Sequence, residues 1–358
     1  MRVGFQNEPG SEREKWQPPK VSVLMIAYNQ EKFISQAIES VLMQETDFPV
    51  ELVIGEDCST DGTRRIVEEY AKKHPDRIRP LYRTTNLGVN VNFAGTLAAC
   101  NGEYVALLDG DDYWTDARKL AKQTAFLDGH PECAICFHNA FVFTDGLNND
   151  EPGLNANRTG NQLLCRPGMQ TRYSQTELLK GNVIPYCSVM FRRTAAGTLP
   201  AWFEKLSIED LPLYILCAEH GPAAYLNEVM AAYRLHPNSH WSSKSRQAKA
   251  VLEIKMYEEL ERYFHSRPRS AAVRKCRLQA TRSLARARVE SEVLLEGSRA
   301  RSLMENGDLS AVPSAVLRIW RLQPRWKWLR WYLRLVWPKS LGGTKVARYV
   351  HQKILNQW

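Results

Sequence analysis

Acidic side chains crowd the chain in two places, each directly after an apolar run. YVALLDGDDYW (104–114) carries Asp109, Asp111 and Asp112, and VELVIGEDCSTDG (50–62) carries Glu56, Asp57 and Asp61. Carboxylates this close repel one another and call for a counter-charge. Hard oxygen ligands suit Mg²⁺ or Mn²⁺, ions that are commonly held by one or two protein carboxylates while substrate phosphates complete the shell. The competing reading is a solvated turn whose acids cap the next helix. We prefer that reading for Asp116, and the metal or substrate reading for Asp109 and Asp111, which follow a buried strand. Gly110 between them permits a tight turn.

The elements that must position these acids follow from periodicity. VSVLMIAY (21–28), VELVIG (50–55), IRPLYRT (78–84) and EYVALLD (103–109) read as strands, alternating with helices over 32–44, 63–74 and 90–100. The first helix puts Phe33, Ile34, Ala37, Ile38, Val41 and Leu42 on one face, and Asp61 or Thr60 is placed to cap the second. Alternating strands and helices predict an α/β fold, a mostly parallel sheet flanked by helices with right-handed crossovers. Ligands bind such sheets outside the carboxyl ends of the strands. Three polar clusters fall there: Ala27-Tyr28-Asn29, Glu56 to Asp61, and Asp109 to Asp112.

Farther on, 116–130 reads as a helix and CAICFHNAFVF (133–143) as a strand, and 145–172 as a long Gly-, Asn- and Pro-rich loop. A helix near 174–180, a strand-like run over 186–193, a helix through 211–221 and a strand leading to His236 come next, and the chain is helical beyond 240. The organisation predicted is an N-terminal tail (1–19), a catalytic domain (20–241), a helical extension (242–308) and a basic tail (309–358).

Composition bounds the rest. With 44% hydrophobic and 24% charged residues among 358, the chain is globular rather than disordered or collagen-like. The first twenty residues lack the apolar core of a signal peptide, and no run approaches a membrane span, so we expect a cytoplasmic protein. The eight cysteines are then read as free thiols, the Cys133/Cys136 pair included. The net charge of +9 is unevenly placed: ten Lys and Arg and no acid follow Asp308, leaving a net of −1 before it.

AYNQEKFISQAIESVLMQ, ELVIGEDCSTDGT and NLGVNVNFAGTLAACNGEYVALLDGDDYW, in that order, resemble the family 2 glycosyltransferases and their GT-A nucleotide-binding fold. The resemblance is specific over 20–120 and weaker to 241. It implies an inverting, metal-dependent (Mn²⁺ or Mg²⁺) transfer from a nucleoside-diphosphate sugar, UDP-sugar favoured, to a hydroxyl acceptor such as a saccharide or lipid-linked saccharide. By the same resemblance Ala27, Tyr28 and Asn29 lie beside the nucleotide, and Glu56 and Asp57 contact base and ribose. The family more often has Asp at the first of these two positions, which leaves base preference open. Asp109-Gly110-Asp111 matches the DXD motif: Asp111 binds the metal, Asp109 helps hold ribose or the metal's waters, and Asp112 is a second candidate ligand. The resemblance gives Asp210 as catalytic base with Glu209 beside it, against a pair of ordinary N-terminal helix charges. It gives His236 as a late metal ligand, against a structural histidine. His240 and Trp241 are placed to line the acceptor pocket.

The tail SAVLRIWRLQPRWKWLRWYLRLVWPKS holds five Trp and seven Lys or Arg. An amphipathic cationic helix with interfacial Trp suits the inner face of an anionic membrane, ahead of packing on the protein and far ahead of nucleic acid. Two other functions compete. A nucleotidyl- or phosphotransferase would usually show a Gly-rich or Lys-bearing phosphate loop where AYNQEKF stands. A membrane-associated binding module without catalysis would not need Asp109, Asp111 and Asp210.

Overall fold

The computed structural model describes residues 18–144, 162–265, 271–279 and 281. The basic tail, residues 1–17, the loop residues 145–161 and the extension beyond 281 lie outside the described residues. The described residues up to Ser243, with those of Lys255–Cys276, form one compact unit that carries the candidate site; Lys244–Ile254 and the described residues from Arg277 belong to a second.

Apolar runs of the first half pair as parallel strands: β1 (Val21–Ala27), β2 (Val50–Glu56), β3 (Ile78–Tyr82) and β4 (Tyr104–Leu107), in spatial order β3-β2-β1-β4. Helices α1 (Ile34–Leu42), α2 (Thr63–Lys73) and α3 (Val89–Ala99) make the crossovers. Strand order reverses at β1, so the ends of β1 and β4 flank the crevice where such sheets bind ligands.

Side-chain alternation along these strands builds two cores. Val23 and Met25 of β1 and Tyr104 and Ala106 of β4 face one, with Ile34, Ala37, Ile38 and Val41 of α1. Leu24 of β1 and Val105 and Leu107 of β4 face the other, with Phe93 and Leu97 of α3. The apolar face expected on α1 is the buried one, Phe33 and Leu42 being partly buried at its ends. Asp61 Oδ1 accepts the Thr63 N–H at 2.9 Å at the start of α2, whose last turn carries Lys72 and Lys73.

The second half adds β5 (Tyr113–Trp114), α4 (Lys119–Gly129), β6 (Ile135–Thr144), β7 (Gln162–Leu163), β8 (Arg172–Tyr173), α5 (Gln175–Leu178), β9 (Met190–Arg192), α6 (Arg193–Ala196), α7 (Asp210–Cys217), β10 (Ala223–Leu235) and α8 (Arg246–Tyr263). β9 lies antiparallel between β4 and β6, and β10 pairs parallel with β6 and antiparallel with β5. Two expected elements are shorter. The helix near 174–180 is α5 alone, started by a capping box between Ser174 and Glu177. The strand-like run 186–193 divides into a 3₁₀ turn, Tyr186–Ser188, and β9, because Ser188 folds back to bond the Pro185 carbonyl through both N–H and hydroxyl. All eight cysteines are free thiols.

Candidate active site

The ends of β1 and β2 are stitched into one platform. Asp57 N–H donates to the Ala27 carbonyl at 2.9 Å, Asn29 N–H to Ser59 Oγ at 3.1 Å, and Thr60 N–H to Asn29 Oδ1 at 2.8 Å. Asn29 holds φ +54, a left-handed conformation that Asn tolerates better than most residues, and Cys58 holds φ +59. Tyr28 is left 45% exposed at the rim, free to meet a flat ligand.

Glu56 and Asp57 are buried, and their carboxylates build this platform. Glu56 accepts from Arg64 Nε at 2.5 Å and Ser59 N–H at 2.7 Å, while Asp57 accepts from Leu87 N–H at 2.8 Å and Gly88 N–H at 2.9 Å. Each has both oxygens engaged within the protein. Their first task is to shape the pocket wall rather than to reach into it.

The turn after β4 is held differently. Leu108 N–H bonds the Leu24 carbonyl at 3.1 Å, and Asp112 N–H closes onto the Asp109 carbonyl at 3.2 Å. Gly110 is needed here for space, since it is not among the residues of positive φ. A Cβ on it would lie 2.3 Å from Gln30 Oε1 and 2.6 Å from Ile34 Cδ1. Asp112, 2% exposed, fastens the turn to β10 by accepting the Arg234 N–H at 2.8 Å. Arg234 also donates from Nε to the Asp111 carbonyl at 2.7 Å, and its guanidinium lies 4.6 Å from the ring centres of Phe33 and Phe143. A buried arginine thus supplies part of the counter-charge that the acidic turn demands. Nothing in the turn itself announced it; its place near the end of the strand that leads to His236 is the one signal the sequence held.

His236 does meet the acidic turn. Its Nε2 lies 3.0 Å from Asp111 Oδ2, with side-chain exposures of 8% and 16%, and its ring packs 4.8 Å from Phe33. The two side chains touch directly, as a hydrogen bond or ion pair, and both are of types that can ligate a divalent ion. Among the described residues no group of three or more His, Cys, Asp and Glu is arranged to hold a metal. The residues present fit an ion that takes two ligands from the protein and the rest from a bound diphosphate and water.

Asp109 completes the turn on the opposite face, continuing the Val105 and Leu107 side of β4 where α7 also packs. Its Oδ1 is buried and has no hydrogen-bond partner. Burial, then the charges of Asp111, Glu209, Asp112 and Asp210, hold its carboxyl well above the usual carboxylate range. Asp112 is raised likewise, by burial and then Asp111, against the Arg234 N–H.

Asp210 opens α7, with Glu209 as the capping residue before it. Its Oδ2 accepts from Asn182 Nδ2 at 2.5 Å and its Oδ1 from the Leu211 N–H at 2.7 Å, which fixes the carboxylate. Burial raises its pKa in spite of those bonds. Glu209 and Asp210 lie near enough to Asp109 to raise its carboxyl, so this pair stands beside the acidic turn. Asn182 bonds Asp210, Gln30 lies against Gly110, and Tyr186 and Tyr214 share the apolar cluster of Val105 and Leu107; none of the four was singled out in the sequence. Trp241 is half-buried and His240 exposed, past the end of β10.

Comparisons with known proteins agree with this architecture. Residues 22–197 match the model of glycosyl transferase family 2, a span that stops short of Asp210 and His236. An uncharacterized protein of Mycobacterium tuberculosis is 41% identical over 226 residues, covering 62% of this chain; the chain spans 61% of that relative's length. The putative teichuronic acid biosynthesis glycosyltransferase TuaG of Bacillus subtilis is 33% identical over 246 residues, 68% of this chain and 89% of TuaG. Two solved structures share the fold. S. aureus TarS 1-349 in complex with UDP has a TM-score of 0.54 at 20% identity, over 95% of this chain and 92% of that one. The mannosyltransferase PcManGT from Pyrobaculum calidifontis, in complex with GDP-Man and Mn²⁺, has 0.53 at 18%, over 92% and 89%. On its sequence relatives and its fold, the chain belongs to glycosyl transferase family 2.

Proposed function

We propose that the chain is an inverting glycosyltransferase that moves a sugar from a nucleoside-diphosphate sugar to a hydroxyl acceptor in cell-surface polysaccharide or glycolipid assembly. The observation that carries the reading is the gathering around the acidic turn of the Asp111–His236 pair, the unpartnered Asp109 Oδ1 and, within electrostatic reach of it, the fixed carboxylate of Asp210. The solved neighbours with UDP, and with GDP-Man and Mn²⁺, support a nucleotide-sugar donor and a divalent ion.

Tyr28 and the platform of Asn29, Glu56 and Asp57 receive the base and ribose. Asp111 and His236 are the residues that would hold an ion, Mn²⁺ or Mg²⁺, which would supply positive charge against the donor diphosphate. Asp109 orients the donor's polar groups from the opposite face. Asp210 takes the proton of the incoming hydroxyl as its oxygen attacks the anomeric carbon and the bond to the diphosphate breaks. Its raised pKa makes the carboxylate a stronger base than a solvated aspartate, and Asn182 and Leu211 keep it aimed. One displacement inverts the anomeric centre, with no covalent enzyme intermediate.

The basic Trp-rich tail would bring this chemistry to the inner surface of the membrane, where a lipid-linked acceptor resides. No described helix is long and apolar enough to cross a membrane. A thermal-shift screen of nucleoside diphosphates and nucleotide-sugars, with and without Mn²⁺, followed by a transfer assay on the best donor, tests the reading. A Mn²⁺-dependent shift is expected with a nucleotide-sugar, and no metal-dependent shift with any nucleotide would sink it.

A further inference from the structure

Near Asp109 and Asp210 lie two phenols that the protein itself does not use. The hydroxyls of Tyr186 and Tyr214 are buried and have no hydrogen-bond partner, and the residues are 9% and 1% exposed. Most buried hydroxyls find partners, so two orphans beside a third, Asp109 Oδ1, require a reason.

The fold gathers these groups. Tyr214 lies four residues after Asp210 on α7 and so one turn along the same helix face. Tyr186 lies four residues after Asn182, whose amide holds Asp210. The antiparallel pairing of β4 with β9, extended by the Leu107 N–H bond to the Val189 carbonyl, brings the 3₁₀ turn Tyr186–Ser188 against β4. Both tyrosines share an apolar cluster with Val105 and Leu107, the side of β4 that Asp109 continues. Burial first, and then Asp109, Glu209 and Asp210, push both phenols well above their usual range, so each stays a neutral O–H that can donate and accept.

A lining of neutral hydroxyls and carboxylate oxygens over an apolar base repels an anion and leaves an apolar ligand with orphaned polar groups facing it. A neutral ring bearing several hydroxyls satisfies both demands. We propose that the Tyr186 and Tyr214 hydroxyls bind the ring hydroxyls of the transferred sugar between Asp109 and Asp210, and that they set which sugar the cleft accepts. The proposal rests on the glycosyl-transfer reading above.

The test uses Tyr186→Phe and Tyr214→Phe, which keep the ring and remove only the hydroxyl. With Mn²⁺ present, calorimetry compares UDP with UDP-glucose and UDP-N-acetylglucosamine, and GDP with GDP-mannose. Each variant is expected to melt at or above the wild-type temperature and to bind the bare diphosphate as wild type does. It is expected to lose about five- to tenfold of the affinity for the preferred nucleotide-sugar, the loss of one hydrogen bond. A deoxy analogue lacking the contacted hydroxyl should cost the wild type a similar factor and the matching variant nothing further. Variants that melt normally and keep the full sugar discrimination overturn this proposal and leave the transfer reading standing. A wild type that binds diphosphate and every sugar nucleotide equally also overturns it. A wild type that binds no nucleotide-sugar with or without Mn²⁺ removes both.

Discussion

The two acidic regions of the cleft look alike in sequence and are built on opposite terms. Around Glu56 and Asp57 every carboxylate oxygen accepts a hydrogen bond from the protein, three of the four from backbone N–H groups. Around Asp109 and Asp210 a carboxylate oxygen and two phenols are left without partners, and burial followed by neighbouring acids raises the pKa of Asp109. A region whose polar groups satisfy each other is scaffold. A region that keeps buried polar groups unsatisfied costs stability and holds capacity for a ligand. Tyr28, between the bonded Ala27 and Asn29 of the platform, is open at the ring.

Substitutions on the two sides should therefore fail in different ways. The largest effect is expected from Asp210→Asn, which keeps the shape of the side chain and removes the base. Transfer should fall about 10²–10⁴-fold with donor affinity unchanged, measured by steady-state rates and calorimetry. Near-normal turnover would move Asp210 from the reacting side to the scaffold side.

Asp57→Ala should behave in the reverse sense. It orphans the Leu87 and Gly88 N–H groups, each at about 1–3 kcal/mol, so chemical denaturation should show the loss before turnover on saturating donor does. An Asp57 variant of wild-type stability with collapsed donor binding would show the platform acid to be a ligand contact instead.

Asp109→Asn sharpens the contrast, because it should stabilise the metal-free protein while impairing transfer. The folded pKa of Asp109 is raised, so the folded state holds a proton that the unfolded chain releases as pH climbs past the ordinary carboxylate value. Stability falls as pH rises through that window. Urea midpoints against pH should show a shallower fall for the variant than for wild type.

The smallest effect concerns Lys119, fully buried beneath the turn with its ammonium 4.0 Å from the Trp114 ring centre and bonded to Gln123 Oε1 at 2.6 Å. Burial pushes its pKa down to about 7 from 10.5. The unfolded chain binds a proton that the folded one gives up between those values, so stability rises with pH across that range. Lys119→Met should flatten the rise and raise the melting temperature modestly at pH 7, with donor binding unaltered. Altered donor binding would tie this lysine to the cleft.

Much of this was legible from residues alone. Short, nearly continuous apolar runs marked β1 to β4 to within a few residues of 21–28, 50–55, 78–84 and 103–109, because a buried parallel strand must be apolar on both faces. The clusters at the strand ends, and the pairing of a late histidine with the acidic turn, followed from topology and resemblance. Other features were invisible for physical reasons. Gly110 reads as conformational freedom in sequence, yet it answers the close approach of Gln30 and Ile34, a contact across eighty residues. The bonds that Glu56 and Asp57 accept could not be foreseen, since sequence carries no record of which backbone N–H groups will point at them. Arg234 is a routine strand arginine until the acidic turn folds over it.

Sequence by itself determined the alternation of strand and helix, the acidic residues at the strand ends and the cationic tail, because these depend on local periodicity and composition. Only the tertiary structure decided which acids are satisfied and which are left waiting. Hydrogen-bond partners and burial are set by residues distant along the chain, such as Asn182 for Asp210, Arg234 for Asp112, and the orphaned phenols of Tyr186 and Tyr214 beside Asp109.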